Sequence, residues 1–143
     1  VAVSYQLTVN GTVAATLVGV AAAVDDAVDG ILDNTSALLL TQIKRNASNR
    51  PGPNAPTGDY RRSWTRRKIT GGYNVGTNRP QARRLEMGFN GRDSLGRLYN
   101  QQPYPHLDPA LDMVTPAYLA AMQAVADGIG NGAITGVTFG GLR

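Results

Sequence analysis

Cysteine is absent from this chain, and His106, Glu86 and Trp64 are its single histidine, glutamate and tryptophan. Without thiols there is neither a disulfide framework nor a thiolate site. A lone histidine argues against a His-based metal centre and against a Ser-His-Asp triad. The other acidic residues are all aspartates, and they fall mostly where helix polar faces or caps are expected. No cofactor is implied. No Lys or Arg precedes Lys44. The small apolar run Thr12–Val24, with Ala21-Ala22-Ala23, therefore lacks the charged start of a signal peptide. It also falls short of the roughly 20 residues that cross a bilayer. It reads as helix, and the chain is expected to be made in the cytoplasm with no membrane partner. Val1 in place of Met suggests a trimmed start or an alternative start codon.

What is present suits one domain over residues 1–143. A hydrophobic share of 42% suffices for a core and excludes full disorder. Glycine (17) and proline (8) cluster at 50–58, 71–80 and 128–141, which predicts loops there and an extended arm over 130–143. The net charge of +4 permits nucleic-acid contact without requiring it.

Val3, Tyr5, Leu7 and Val9 alternate with polar residues, so Val3–Val9 reads as a half-buried strand ended by Asn10-Gly11. A helix from Thr12 to Arg45 carries one stripe: Val13, Leu17, Val20, Val24, Val28, Ile31, Leu38, Leu39 and Ile43. At 1.5 Å per residue it would span about 50 Å. The expectation is a bend near Gly30 or Asp33–Ser36, or one end packed on another chain. Asn46–Pro56 is a linker; its Asn46-Ala47-Ser48 sequon has no secretory context and is discarded. Thr57 is the expected N-cap of a short turn. Ser63–Thr70 reads as a strand with cations on both faces, Arg66 and Lys68 with Trp64, and Arg67 with Thr65 and Ile69. That predicts an edge strand or hairpin arm. Gly71-Gly72 is the hairpin turn, and Tyr73–Gly76 returns. Pro80 starts a short helix that ends at Gly88. Phe89–Pro105 reads as a long polar loop. Asp108-Pro109 is an N-cap and first-turn pair, repeated at Thr115-Pro116, where a kinked restart is expected. This second helix has the stripe Leu107, Leu111, Val114, Tyr118, Met122, Val125 and Ile129. Val137-Thr138-Phe139 has strand character. The class is α+β: a long N-terminal amphipathic helix and a kinked C-terminal helix on a small antiparallel sheet, with an extended loop and a C-terminal arm.

Sites of chemistry are scarce. Asp25, Asp26 and Asp29 read as a solvated helix face. Gly71–Gly76 lacks the Lys-Ser/Thr ending of a phosphate loop. His106, between Pro105 and Leu107, reads as structural or surface-exposed. The basic cluster Arg61, Arg62, Arg66, Arg67, Lys68, Arg79, Arg83 and Arg84 is interleaved with Tyr60, Trp64 and Tyr73. It fits an interface that pairs arginine with acids across chains, the lining of a nucleic-acid passage, or a DNA-binding module.

The order of short motifs then becomes informative. Pro56-Thr57-Gly58-Asp59-Tyr60-Arg61-Arg62-Ser63 is followed by Val75-Gly76-Thr77. Next come Ala82, Leu85-Glu86-Met87-Gly88 and Pro105-His106-Leu107-Asp108-Pro109-Ala110-Leu111. The series resembles the minor tail components of long-tailed bacteriophages, the tail-completion or head-to-tail joining proteins. The departures are Tyr60 for the usual Leu, Gln81 for an aromatic before Ala82, and Phe89 for Thr after Gly88. The resemblance implies that Thr57, Gly58, Ser63, Gly76, Glu86, Gly88, Pro105 and Pro109 are structural motif positions. It also implies a non-enzymatic virion protein of the phage neck or tail. Its partners would be other copies of itself in a six-fold ring, the head-side connector or stopper proteins, and the tail tube or tail-terminator protein. Double-stranded DNA would pass through the ring at ejection. A tail-terminator role is the alternative within the family, and a basic DNA-binding protein is the alternative outside it.

Overall fold

The computed structural model describes residues 11–130, with side chains from Val18 onward. The strand expected at Val3–Val9, the side chains of Val13 and Leu17, and the arm beyond Gly130 with Val137-Thr138-Phe139 lie outside the described residues. In chain order the elements are α1 (Gly11–Asn46), α2 (Asp59–Ser63), β1 (Thr65–Ile69), β2 (Gly72–Gly76), α3 (Ala82–Met87), β3 (Phe89–Arg92), β4 (Leu98–Gln101) and α4 (Asp108–Gly130).

The architecture is α+β, and its two long helices pack on each other. The C-terminal end of α1 meets the N-terminal end of α4 through Asn46 Nδ2–H, which donates to the His106 carbonyl at 3.0 Å. Leu32–Leu39 face Leu111–Tyr118 across a shared groove, so the two helices run antiparallel. The antiparallel hairpin β1–β2 lies against α1.

Four expectations are refined or corrected. First, α1 is one unbroken helix of 36 residues, roughly 54 Å long. Ser36 and Asp33 do not end it, because Ser36 Oγ donates to the Asp33 carbonyl at 2.9 Å and the local polar group serves the helix. Among the described residues of the predicted stripe only Ile43 is fully buried, and Leu38 is 59% exposed. One helix and one hairpin cannot cover a helix of this length. Second, the stretch 89–105 is not a plain loop: β3 and β4 pair antiparallel, with Asn90 opposite Asn100. Among the described residues the β structure is therefore two separate two-stranded sheets. Third, α4 runs through Pro116 without a restart, and Thr115 Oγ1 donates to the Leu111 carbonyl at 2.7 Å one turn back. Fourth, the caps shift. Gly58, at φ 72°, precedes α2, and Thr57 instead closes a turn by accepting from the Asp59 N–H at 3.3 Å. The third helix begins at Ala82 rather than Pro80, and β1 begins at Thr65 because Ser63 ends α2.

Two glycines sit where no side chain fits. A Cβ on Gly52 would stand 2.0 Å from the Asn46 carbonyl oxygen, so the linker turns tightly under the end of α1. On Gly88 it would stand 2.8 Å from the Gln101 carbonyl oxygen, and φ there is +75°. Gly88 thus lets the β3–β4 hairpin close directly onto α3.

Candidate functional site

The buried centre of the molecule is a polar and aromatic knot where four helices meet. α1 supplies Ile43, with Ala47 just past its end; α2 supplies Tyr60 and the following Trp64; α3 supplies Glu86; α4 supplies Ala110, with His106 just before its start. Ile43, Ala47, His106 and Ala110 are wholly buried, and Tyr60 and Trp64 nearly so. The rings of Tyr60, Trp64 and His106 stand edge to face, with centroids 5.5–6.3 Å apart. That geometry sets the positive edge of one ring against the negative face of the next.

His106 is satisfied on both sides. Its Nδ1 lies 2.9 Å from the Tyr104 carbonyl and 2.9 Å from Glu86 Oε2. Both partners only accept, so Nδ1 carries a proton, and Nε2 pairs with the Tyr60 hydroxyl at 2.7 Å. The Tyr60 hydroxyl, which an aliphatic side chain would lack, goes to this histidine. Burial raises the Tyr60 phenol above its ordinary pKa, with a smaller rise from the Glu86 charge. The Trp64 indole pulls the other way, although its Nε1 makes no hydrogen bond of ordinary geometry and is buried without a partner.

Glu86 caps α4. Oε2 accepts the His106 and Leu107 N–H groups and Oε1 accepts that of Asp108, each at 3.0 Å. These are the donors that a helix start leaves unpaired, and a negative charge there also meets the positive end of the helix dipole. Burial alone would raise the Glu86 pKa. The three backbone bonds and the neighbouring His106 outweigh it, and the carboxyl titrates below its ordinary value.

The other motif positions gather around the same knot. Ser63 Oγ donates to the Tyr60 carbonyl at 2.6 Å and accepts from Thr77 Oγ1, also at 2.6 Å, which fastens α2 to the strand end at Gly76. Gly58 starts α2, Gly88 ends α3, and Pro105 and Pro109 flank His106 at the start of α4. Sequence reasoning placed these residues in a framework and missed His106 as its centre. The available signal was Tyr60, a polar ring at an expected Leu.

The basic cluster divides by face. Arg66 reaches α1, where its Nη1 donates to Asp33 Oδ1 (2.7 Å), the Asp33 carbonyl (2.9 Å) and Ser36 Oγ (2.9 Å). Lys68, two residues on, donates to Asp29 Oδ2 at 2.6 Å. The strand period of two thus meets the helix period of four, aligning Arg66 and Lys68 with Asp33 and Asp29. Asp29 is therefore paired while staying on the solvated helix face, where it is exposed. The Arg66 bond is the main cause of a lowered Asp33 pKa, and the Asp29 bond of a raised Lys68 pKa. Arg62 pairs with Asp59 on its own helix. Arg84 lies over the Phe89 ring at 4.2 Å, and Arg61 donates to Ser48 Oγ at 3.2 Å. Arg67, Arg79 and Arg83 are exposed and make no ion pair among the described residues. Arg67 lines a shallow polar depression with Asn74, Thr77 and Asn78 on the far side of the β1–β2 hairpin from α1.

The unequal bonding of the two cations has a measurable consequence. Arg66→Ala is expected to lower the melting temperature more than Lys68→Ala, because it strips partners from Ser36 and Asp33 whereas Lys68 holds one exposed carboxylate. Thermal melts in low and high salt check this, and a larger loss for Lys68→Ala would refute it.

Among the described residues no three His, Asp or Glu side chains come together as a metal site, and no helix is long and apolar enough to cross a membrane. Comparison with protein-family models, curated proteins and solved structures finds no match for this chain.

Proposed function

We propose that this chain is a non-enzymatic subunit of a phage neck, a head-to-tail joining protein that closes with other copies into a ring, expected to be six-fold. On this reading it acts in the virion, between the head-side connector or stopper proteins and the tail tube or tail-terminator protein, and double-stranded DNA passes through the ring. The observation that carries the proposal is the ordered motif series from Thr57-Gly58 to Pro109. Its support in the fold is that these separated motifs converge on one structural knot, as framework residues of a shared fold would. The titratable residues of that knot are spent on orienting helices, with His106 wholly buried and Glu86 bonded to three backbone amides.

The internal pairing of Arg62, Arg66 and Lys68 weighs against a dedicated DNA reader, since phosphates would have to compete with bonded carboxylates. Arg67, Arg79 and Arg83 remain available for passing contact with phosphate. Mass spectrometry of purified virions is expected to find the protein, and micrographs of the concentrated protein to show rings. Absence from the virion would sink the proposal. A tail-terminator role differs only in position along the neck, which one reconstruction of the neck resolves. A DNA-binding module would instead show log affinity falling against log salt with a slope of about −4 to −5 if some five phosphates were contacted.

A further inference from the structure

The β3–β4 hairpin and the groove between α1, β2 and α4 are complementary features of one chain that do not meet within it. The hairpin is closed onto α3 at its base, where Gln101 Nε2 donates to the Arg84 carbonyl at 3.2 Å. Beyond that its strands contact mainly each other. Its tip is built with care. Asp93 Oδ1 accepts the Leu95 and Arg97 N–H groups at 2.9 Å each, and Oδ2 accepts Arg97 Nε at 2.7 Å. The Arg97 carbonyl accepts the Asp93 N–H at 3.0 Å, and Gly96 supplies the left-handed turn. This ordered turn holds Leu95 74% exposed and Leu98 71% exposed. Two apolar side chains held out in water on a hydrogen-bonded turn are what a docking element presents, since little backbone ordering entropy is left to lose on binding.

The groove is the matching concavity. It measures about 230 Å³ and is lined chiefly by Leu32, Leu39, Val75, Leu111, Val114 and Tyr118. Charge agrees as well. Arg92 beside the tip bonds only the Gly96 carbonyl, at 2.7 Å, and makes no ion pair among the described residues. Asp112, one residue on from Leu111 at the groove margin, is exposed and makes none either.

We infer that the β3–β4 tip of one copy seats Leu95 and Leu98 in the α1–β2–α4 groove of the next copy, with Arg92 paired to the neighbour's Asp112. The inference deepens the ring-subunit reading and rests on it for the identity of the occupant. Tip and groove are different surfaces, so the contact is heterologous and propagates around a ring.

Disulfide trapping tests it cleanly because the chain has no cysteine. Leu95→Cys and Thr115→Cys, each alone, are expected to stay uncrosslinked under mild oxidation. Their mixture gives one-to-one dimers, and the double variant gives a ladder of multimers. Both positions are exposed, so folding is not at stake. In sedimentation runs at increasing concentration, the Leu95→Asp/Leu98→Asp variant shifts assembly to at least about tenfold higher concentration. A protein monomeric throughout, no dimer from the mixture, or crosslinks formed only within one chain would each overturn the contact. So would assembly that the aspartates leave unchanged. Rings that persist in the aspartate variant sink this contact and spare the ring reading. A trapped contact in a protein absent from virions spares the contact and sinks the phage assignment.

Discussion

Glu86→Ala is expected to lower stability by about 3 kcal/mol, the largest loss for any partly exposed residue of this protein. Its carboxylate is 11% exposed and accepts three consecutive backbone N–H groups at 3.0 Å. It is also 2.9 Å from His106 Nδ1. Truncation leaves those donors unpaired at the start of α4, next to a wholly buried imidazole. For a chain of this size about 3 kcal/mol corresponds to a fall of roughly 10 °C in melting temperature. Glu86→Gln keeps an acceptor and loses the charge, so about half the loss is expected. The acid limb separates the two effects. The folded Glu86 carboxyl titrates below the ordinary glutamate value of 4.5. Its contribution is therefore fully present above that value and is lost as pH falls through the lower, folded pKa. Asp33, Asp59 and Asp93, also lowered, push the same way. The gap between parent and Glu86→Gln should be constant near neutrality and close as pH falls below the ordinary glutamate value and through the lower, folded one. Equal melting temperatures at pH 7, or a gap that widens in acid, would refute this account.

The second large effect is at Trp64, which is 4% exposed between Tyr60 and His106. Trp64→Ala is expected to cost about 3–5 kcal/mol through lost burial and the cavity left behind. Trp64→Phe should cost less than its loss of volume implies, staying within about 1.5 kcal/mol of the parent. The reason is the unpartnered indole Nε1, whose burial already costs free energy that phenylalanine does not incur. Urea unfolding followed by far-ultraviolet circular dichroism measures both, since the only tryptophan is the residue replaced. An alanine variant within 1 kcal/mol of the parent would mean that the ring knot does not hold the helices together.

These variants also bear on function. On the proposed reading as a ring subunit, the chain has to hold its contact surfaces in fixed relation. Here the base of the β3–β4 hairpin, the start of α4 and the end of α1 are all tied to the neighbourhood of Glu86 and His106. Loosening that junction is expected to weaken assembly at temperatures well below melting, whereas a change at Arg67 should leave assembly intact.

The elements legible in the sequence were those set by local rules. The stripe period of three to four residues identified both long helices. Gly71-Gly72 marked the first hairpin, Gly88 ended α3, and Asp108-Pro109 opened α4. The alternation along β1 correctly put Arg66 and Lys68 on one face and Arg67 on the other. The second hairpin was hidden because its strands, Phe89–Arg92 and Leu98–Gln101, are short and mostly polar. What holds its turn is the Asp93 side chain, not a two-residue glycine signal.

Tertiary structure alone decided the partners. Nothing local tells Glu86 to cap a helix that begins more than twenty residues later, or Tyr60 to bond an imidazole 46 positions away. Nor does the sequence say that Asp33 and Asp29, rather than phosphates, receive Arg66 and Lys68. Periodicity records which side of an element is buried, whereas a hydrogen bond or ion pair requires two elements to arrive at about 3 Å. That arrival is set by the packing of α1 against α4, and with it the sequence's single glutamate and single histidine became the centre of the fold.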